Sequence, residues 1–337
     1  MTMQLQDYFT KYLPAIDAEM RRVVSPPTDA ALNVFYGMLH YHLGWVDTEF
    51  KPALSDSGKR LRPVLTLLCC EASGGNWECA LPAAAAIELL HNFSLIHDDI
   101  EDGDTTRRGR ATLWAIWGRA QAINEGDALY TFAHIALRGL VTRQVPPPRR
   151  LAVRERFDDA CLALTQGQHL DLSFEARPGI TEVEYLQMIG GKTAALIAGA
   201  CAIGAIVAGS DTVPCYERFG GEVGFAFQIQ DDLLGIWGKP EVTGKPVGGD
   251  ILRRKKSLPV VYGLQRSEEL RQLYARAEID VPAAMTALEK IGARDYAEAL
   301  AAEHHQRALN ALATTGKDNT ATQALYELVS MLLRRSA

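Results

Sequence analysis

Two groups of aspartates, about 130 residues apart, each close an apolar stretch whose spacing suits a helix. The first is Asp98-Asp99-Ile100-Glu101-Asp102, and the run from Ala83 to Ile96 leads into it. The second is Asp231-Asp232, preceded by Phe225, Phe227 and Ile229. A carboxylate in such a place is costly. Buried carboxylates need partners, and the C-terminal end of a helix carries partial negative charge that disfavours anions further. The segments 83–102 and 217–232 share one plan, an apolar helix ending in paired aspartates. Two such segments read as facing walls of a helical bundle, where ligand sites are built from side chains on opposed helices. The expected fold is therefore all-α, a single large helical bundle with a central cavity, formed by residues 1–337 as one domain.

Two carboxylate clusters aimed at one cavity repel each other unless cations lie between them. Asp98 and Asp102 are four apart and share one helix face. All-oxygen ligands suit a hard cation, magnesium first, with phosphate oxygens and water completing its shell. A lone DDxxD is more often a solvated acidic face. A second cluster with its own apolar lead-in weighs against that. The cations imply an anionic substrate, and the basic residues suggest its kind. Gly58-Lys59-Arg60-Leu61-Arg62-Pro63 precedes the first cluster and Arg107-Arg108-Gly109-Arg110 follows it. Lys192-Thr193, Lys245 and Lys255-Lys256 surround the second. Arginine forks and lysine point charges are the usual ligands of diphosphate.

Composition narrows the class. Hydrophobic residues make up 47 %, enough for a sizeable core, and the net charge of −6 provides no bulk basic field for nucleic acid. No apolar run in the sequence reaches the length of a membrane span, and Met1 to Tyr12 lacks the pattern of a signal peptide. Cys69, Cys70, Cys79, Cys161, Cys201 and Cys215 follow no zinc or disulfide spacing and read as reduced thiols of a cytoplasmic protein. Prolines punctuate helix-like stretches, with Pro82 placed to start one, and alternating strand patterns are nearly absent. Gly190-Gly191-Lys192-Thr193 is not a phosphate-binding P-loop, because Leu186 stands where its first glycine is required.

The chain resembles the trans-isoprenyl diphosphate synthases. The matching stretches are GKRLRP at 58–63, LIHDDIEDGDTTRRG at 95–109, GQHLDL at 167–172, GKTAALI at 191–197, FQIQDDLLGIWG at 227–238 and TGKPVGGDILRRKKSLP at 243–259. They occur in the family's order over roughly residues 55–260. The resemblance implies the isoprenoid synthase fold and head-to-tail condensation of isopentenyl diphosphate with an allylic diphosphate (dimethylallyl, geranyl or farnesyl). It implies three magnesium ions, replaceable by manganese, held by Asp98, Asp102 and Asp231. Asp99, Asp232 and Asp250 are expected to act nearby or through water. Arg107, Lys192, Lys245 and Lys255 are expected on the allylic diphosphate. Gly58, Lys59, Arg62, His91 and Arg108 are expected on isopentenyl diphosphate. Thr193 and Gln228 offer oxygen dipoles to an allylic cation, and Gln168 with Asp171 is expected to brace the basic groups.

One position departs from the family. Its second cluster commonly reads DDxxD, and here Gly235 replaces the third aspartate, which leaves the outer coordination of the third metal open. Phe93 and Ser94, just before Asp98, are expected to set chain length, with Phe93 as the floor for a twenty-carbon product, geranylgeranyl diphosphate. A farnesyl or longer polyprenyl synthase is the alternative. A class I terpene cyclase would not need two sets of diphosphate ligands, and a non-catalytic subunit would not need a nearly complete metal set. The family also implies a homodimer.

Overall fold

The structure, a computed structural model, describes residues 4–53, 55, 58–175, 177, 179–238 and 247–333. Helix accounts for 77 % and strand for 2 %, as the sequence pattern predicts. The chain forms two compact units, Met1–Phe157 with Ile203–Asp211 and Asp158–Ala202 with Thr212–Ala337.

In the first unit the helices are α1 (Leu5–Val23), α2 (Asn33–His42), α3 (Leu61–Ala72), α4 (Leu81–Glu101), α5 (Leu113–Trp117), α6 (Arg119–Leu137) and α7 (Gly139–Thr142). The organising element is α4. Pro82 lies in its first turn, where the missing N–H costs nothing. Ala83 to Ile87, Leu89 and Leu90 are all fully buried. A helix apolar on every side must be surrounded, and α1, α3 and α6 all contact it. Gly126 lets α6 come close, since a Cβ there would lie 2.2 Å from Nε2 of His97 on α4. The Asp102 N–H caps the end of α4 on the Asp98 carbonyl at 2.8 Å. A two-stranded hairpin follows, β1 (Thr106–Arg107) with β2 (Arg110–Ala111), paired Arg107 to Arg110. Both loop residues have positive φ, 52° at Arg108 and 73° at Gly109. That is the type I′ turn whose twist matches paired strands.

The second unit holds α8 (Pro147–Glu175) from Asp158 onward, α9 (Glu182–Ile189), a π turn at Gly190–Ala194, and α10 (Ala195–Ala208) up to Ala202. It continues with α11 (Val213–Trp237), α12 (Gly249–Leu252), α13 (Leu258–Arg266), α14 (Glu268–Ala275), α15 (Val281–Lys290), α16 (Ala293–Ala313) and α17 (Thr320–Leu333). Thr181 starts α9 with a reciprocal capping box to Glu184. The chief neighbours of α11 are α16 and the π turn. Tyr185, Ile189, Ile229, Leu233, Leu258 and Val261 build the adjoining core.

Two sequence expectations need revision. The second aspartate pair does not end its helix, because α11 runs on to Trp237. Leu233 and Ile236 are buried, so their burial carries the helix past the charges. Two continuous helical stretches, Trp77–Glu101 and Glu182–Ala208, also reach the length and apolarity of a membrane span. However, 72 % and 67 % of their most apolar windows are buried inside the protein, as in a core helix.

The π turn that carries Lys192 is seated by glycine contacts. A Cβ on Gly167 of α8 would stand 2.0 Å from the Lys192 backbone nitrogen, and one on Gly191 would stand 2.6 Å from the Ala163 carbonyl oxygen. Gly167→Ala should therefore destabilise the protein by about 1–3 kcal/mol through overpacking. Calorimetric melting of the variant checks this, and an unchanged melting temperature would show that the backbone approach has slack.

Candidate active site

The two aspartate pairs share a design that the sequence does not display. Consecutive helical residues point about 100° apart, so in each pair one carboxylate faces outward and the next turns inward. Asp98 is partly exposed, Asp102 is exposed, and Asp99 is 2 % exposed. Asp231 is exposed and Asp232 is 2 % exposed.

Each buried carboxylate is held by donors. Asp99 Oδ1 accepts a hydrogen bond from Arg107 Nε at 2.6 Å, and Arg107 Nη2 reaches Asp98 Oδ2 at 3.4 Å. Burial pushes Asp99 up to about 6, against the opposing pull of Arg107. Asp232 has three donors. Tyr185 Oη and the Leu258 backbone N–H donate to Oδ2 at 2.5 and 2.7 Å, and Gln228 Nε2 donates to Oδ1 at 3.0 Å. Burial again dominates and pushes its carboxyl up to about 6. Tyr185 could not be singled out from the sequence, because nothing links it to an aspartate 47 residues away.

The first unit also gathers most of the predicted diphosphate ligands. Arg62 Nη1 donates to His91 Nε2 at 3.3 Å. Burial drives His91 well below the usual histidine range, and the nearby Arg62, Arg108 and Arg107 add to the effect. The ring is therefore neutral and can accept. Gly58, with φ of +80°, lies directly under Arg108, since a Cβ there would be 2.6 Å from Arg108 Nη2. Lys59 is exposed, whereas Arg60 sits in the left-handed region with φ 45° and ψ 41° at the start of α3. That conformation costs a non-glycine residue about 1–2 kcal/mol.

The sequence does not single out Glu88, which lies near these basic residues. It is 2 % exposed, takes Asn92 Nδ2 on Oε1 at 3.1 Å, and leaves Oε2 without a partner. Burial raises its carboxyl, while Arg60, Arg62 and Arg108 pull it down. Its sequence signal is a charge inside the Ala83–Leu90 run, three residues before His91. Phe93 on the same helix packs its ring on His97 at 4.8 Å and on Tyr130 of α6 at 5.3 Å. Ser94 Oγ donates to the His91 carbonyl at 2.8 Å.

The second unit holds the other set. Lys192 Nζ donates to Asp171 Oδ2 at 2.5 Å, and Gln168 lies on α8 three residues before Asp171. Thr193 Oγ1 donates to Gln228 Oε1 at 2.7 Å. Desolvation disfavours the Lys255 charge, but Asp250, Asp232, Asp171 and Asp231 outweigh it and raise the ammonium above its ordinary value. Asp250, in the first turn of α12, is 5 % exposed and accepts from Arg253 Nη2 at 3.1 Å. Lys245 lies outside the described residues.

The departure at Gly235 has a local counterpart. A Cβ there would be 2.1 Å from Asp250 Oδ2. The Asp250 carboxylate thus fills the space beside Asp231 that a side chain at 235 would enter, one helical turn along α11.

Among the described residues, no three His, Cys, Asp or Glu side chains converge as a ready-made metal cage. The outward-facing oxygens of Asp98, Asp102 and Asp231 still suit a hard cation that completes its shell with phosphate and water.

Residues 44–291 match the polyprenyl synthetase family. The chain is 45 % identical to a geranylgeranyl diphosphate synthase of Mycobacterium tuberculosis, over 88 % of this chain and 86 % of that one. It is 36 % identical to a (2E,6E)-farnesyl diphosphate synthase of Mycobacterium bovis, over 96 % and 88 %. The crystal structure of a polyprenyl synthetase from Streptomyces coelicolor A3(2) superposes with a TM-score of 0.89 at 34 % identity, covering 98 % of this chain and 99 % of that one. With two like-built aspartate pairs, each beside its own basic residues, and a match over most of its length, this chain belongs to the polyprenyl synthetase family.

Proposed function

We propose that this chain is a trans-prenyltransferase that condenses isopentenyl diphosphate with an allylic diphosphate and makes geranylgeranyl diphosphate. The carrying observation is the paired design of Asp98-Asp99 and Asp231-Asp232, each with an outward carboxylate and an anchored partner. In the reaction, the allylic C–O bond breaks and its electron pair leaves with diphosphate. The double bond of isopentenyl diphosphate attacks the allylic cation. A proton is then lost to the departing diphosphate, which leaves the product one isoprene unit longer. Magnesium, when bound, neutralises charge on the departing diphosphate. Asp98, Asp102 and Asp231 would hold three such ions, with manganese as substitute.

The remaining roles fall to the chain's own groups. Arg107, Lys192, Lys245 and Lys255 orient the allylic diphosphate. Gly58, Lys59, Arg62, Arg108 and neutral His91 bind isopentenyl diphosphate, which does not ionise and needs no metal. Thr193 and Gln228 turn oxygen dipoles toward the cation without alkylation, since a stronger nucleophile would be consumed. Asp99 and Asp232 hold their neighbours in place. Asp171 and Gln168 brace Lys192, and Asp250 braces Lys255.

The reading takes 1–337 as one catalytic domain in the cytoplasm, supported by six free cysteines. It excludes a nucleic-acid partner and a membrane span. Replacing Asp98, Asp102 or Asp231 by Ala should cut turnover on the order of a hundredfold or more. Turnover near the wild-type rate at subsaturating magnesium would overturn the metal assignment.

A homodimer belongs to the same reading. Ile123 and Tyr130, seven residues apart on α6, are 46 % and 37 % exposed, and Ile116 of the neighbouring α5 is 36 % exposed. Exposed apolar side chains of this kind suit a second copy. Light scattering at micromolar concentration should give twice the chain mass, and a monomer would refute the assembly.

Product length rests on Phe93. Its ring bridges from α4 to Tyr130 of α6, and the small Ser94 follows it with its hydroxyl turned to the His91 carbonyl. The more similar of the two relatives is named for the twenty-carbon product. Phe93→Ala should shift products beyond twenty carbons in assays with labelled isopentenyl diphosphate and each of three primers. An unchanged distribution would move the floor to another residue.

A further inference from the structure

We propose that Asp17 and Arg60 form a positioning pair that sets the affinity for isopentenyl diphosphate through Lys59 and Arg62, without touching the substrate. The inference rests on the function proposed above. Arg60 stands between two expected diphosphate ligands, yet its own side chain is turned into the protein and only 8 % exposed. Its left-handed backbone, φ 45° and ψ 41°, reverses the chain at the start of α3. A non-glycine residue stays in that region only when its surroundings over-determine it.

The surroundings are supplied by α1. Arg60 Nη2 donates to Asp17 Oδ1 at 2.9 Å. The same oxygen accepts Trp45 Nε1 at 2.8 Å, and Asp17 Oδ2 accepts Arg21 Nε at 2.6 Å. Arg21 in turn lies over the Trp45 ring at 4.4 Å. Burial alone would push the Asp17 carboxyl up, but donors from Arg21, Trp45 and Arg60 outweigh it and hold the carboxyl below the ordinary range. Arg60 also lies near enough to the buried Glu88 to pull its carboxyl down. The guanidinium is thus tethered to Asp17, and the turn is held with it. Lys59 precedes that turn and Arg62 follows it, already on His91. Without the Asp17 charge, a buried arginine loses its hydrogen-bonded counter-ion. The turn then relaxes, and both ligands move with it.

Asp17→Asn should raise KM for isopentenyl diphosphate on the order of tenfold, with kcat and the allylic KM within about twofold. Calorimetric titration of isopentenyl diphosphate alone should show the same loss without turnover. Asp17→Glu, which keeps the charge, should recover most of it. Asp17→Asn combined with Arg60→Ala should be no worse than Arg60→Ala alone, because the two act as one unit. Arg21→Ala removes an exposed partner of Asp17 and should leave the isopentenyl KM within about twofold. If Asp17→Asn does not fold, Arg60→Lys tests the same tether. An unchanged isopentenyl KM in a folded variant overturns the pair. So does an equal fall in every kinetic constant along with the melting temperature, which marks general destabilisation. A wild-type chain that neither binds isopentenyl diphosphate nor turns over overturns the parent function instead.

Discussion

Two carboxylates adjacent on a helix cannot both face the same way, and much of the candidate site follows from how this chain resolves that conflict. One oxygen pair faces outward, where cation and phosphate can reach it. The other turns inward and must be matched, because an unpaired buried carboxylate would be neutralised or expelled. Arg107 matches Asp99. Tyr185, Gln228 and the Leu258 N–H match Asp232. These bonds also orient the helix, so the exposed neighbours Asp98 and Asp231 inherit a set direction. The inward carboxylates are pushed up to about 6 because burial outweighs their donors.

The cations are managed by the opposite device. Arginine keeps its charge at any ordinary pH, so its position is the only variable. Arg60 and Arg108 both occupy left-handed backbone, and Gly58 yields its side-chain space to the Arg108 guanidinium. His91 stays neutral among these arginines and can accept from Arg62. Glu88 beneath them offsets part of their mutual repulsion. Backbone strain at such a place is a common mark of a working site, and here it stands beside the residues expected to bind diphosphate.

In the second unit the departure from the family pattern at Gly235 has a steric counterpart. Gly235 removes a carboxylate from α11, and the space its side chain would take is occupied by Asp250 of α12, which the family's pattern already carries. Lys255 then lies within reach of Asp171, Asp231, Asp232 and Asp250.

The helical class and the identity of the aspartate pairs were legible in the sequence, because apolar periodicity and local spacing are properties of neighbouring residues. The same holds for Pro82 at the start of α4, and the ordered motifs pointed to the family. The extension of α11 to Trp237 was not legible, since it depends on core that distant segments supply to Leu233 and Ile236. Nor were Tyr185 on Asp232 or Asp17 on Arg60, 47 and 43 residues apart. A hydrogen bond carries no trace in either partner's local sequence. Which aspartate of a pair faces inward, and what meets it there, was decided only when the helices packed.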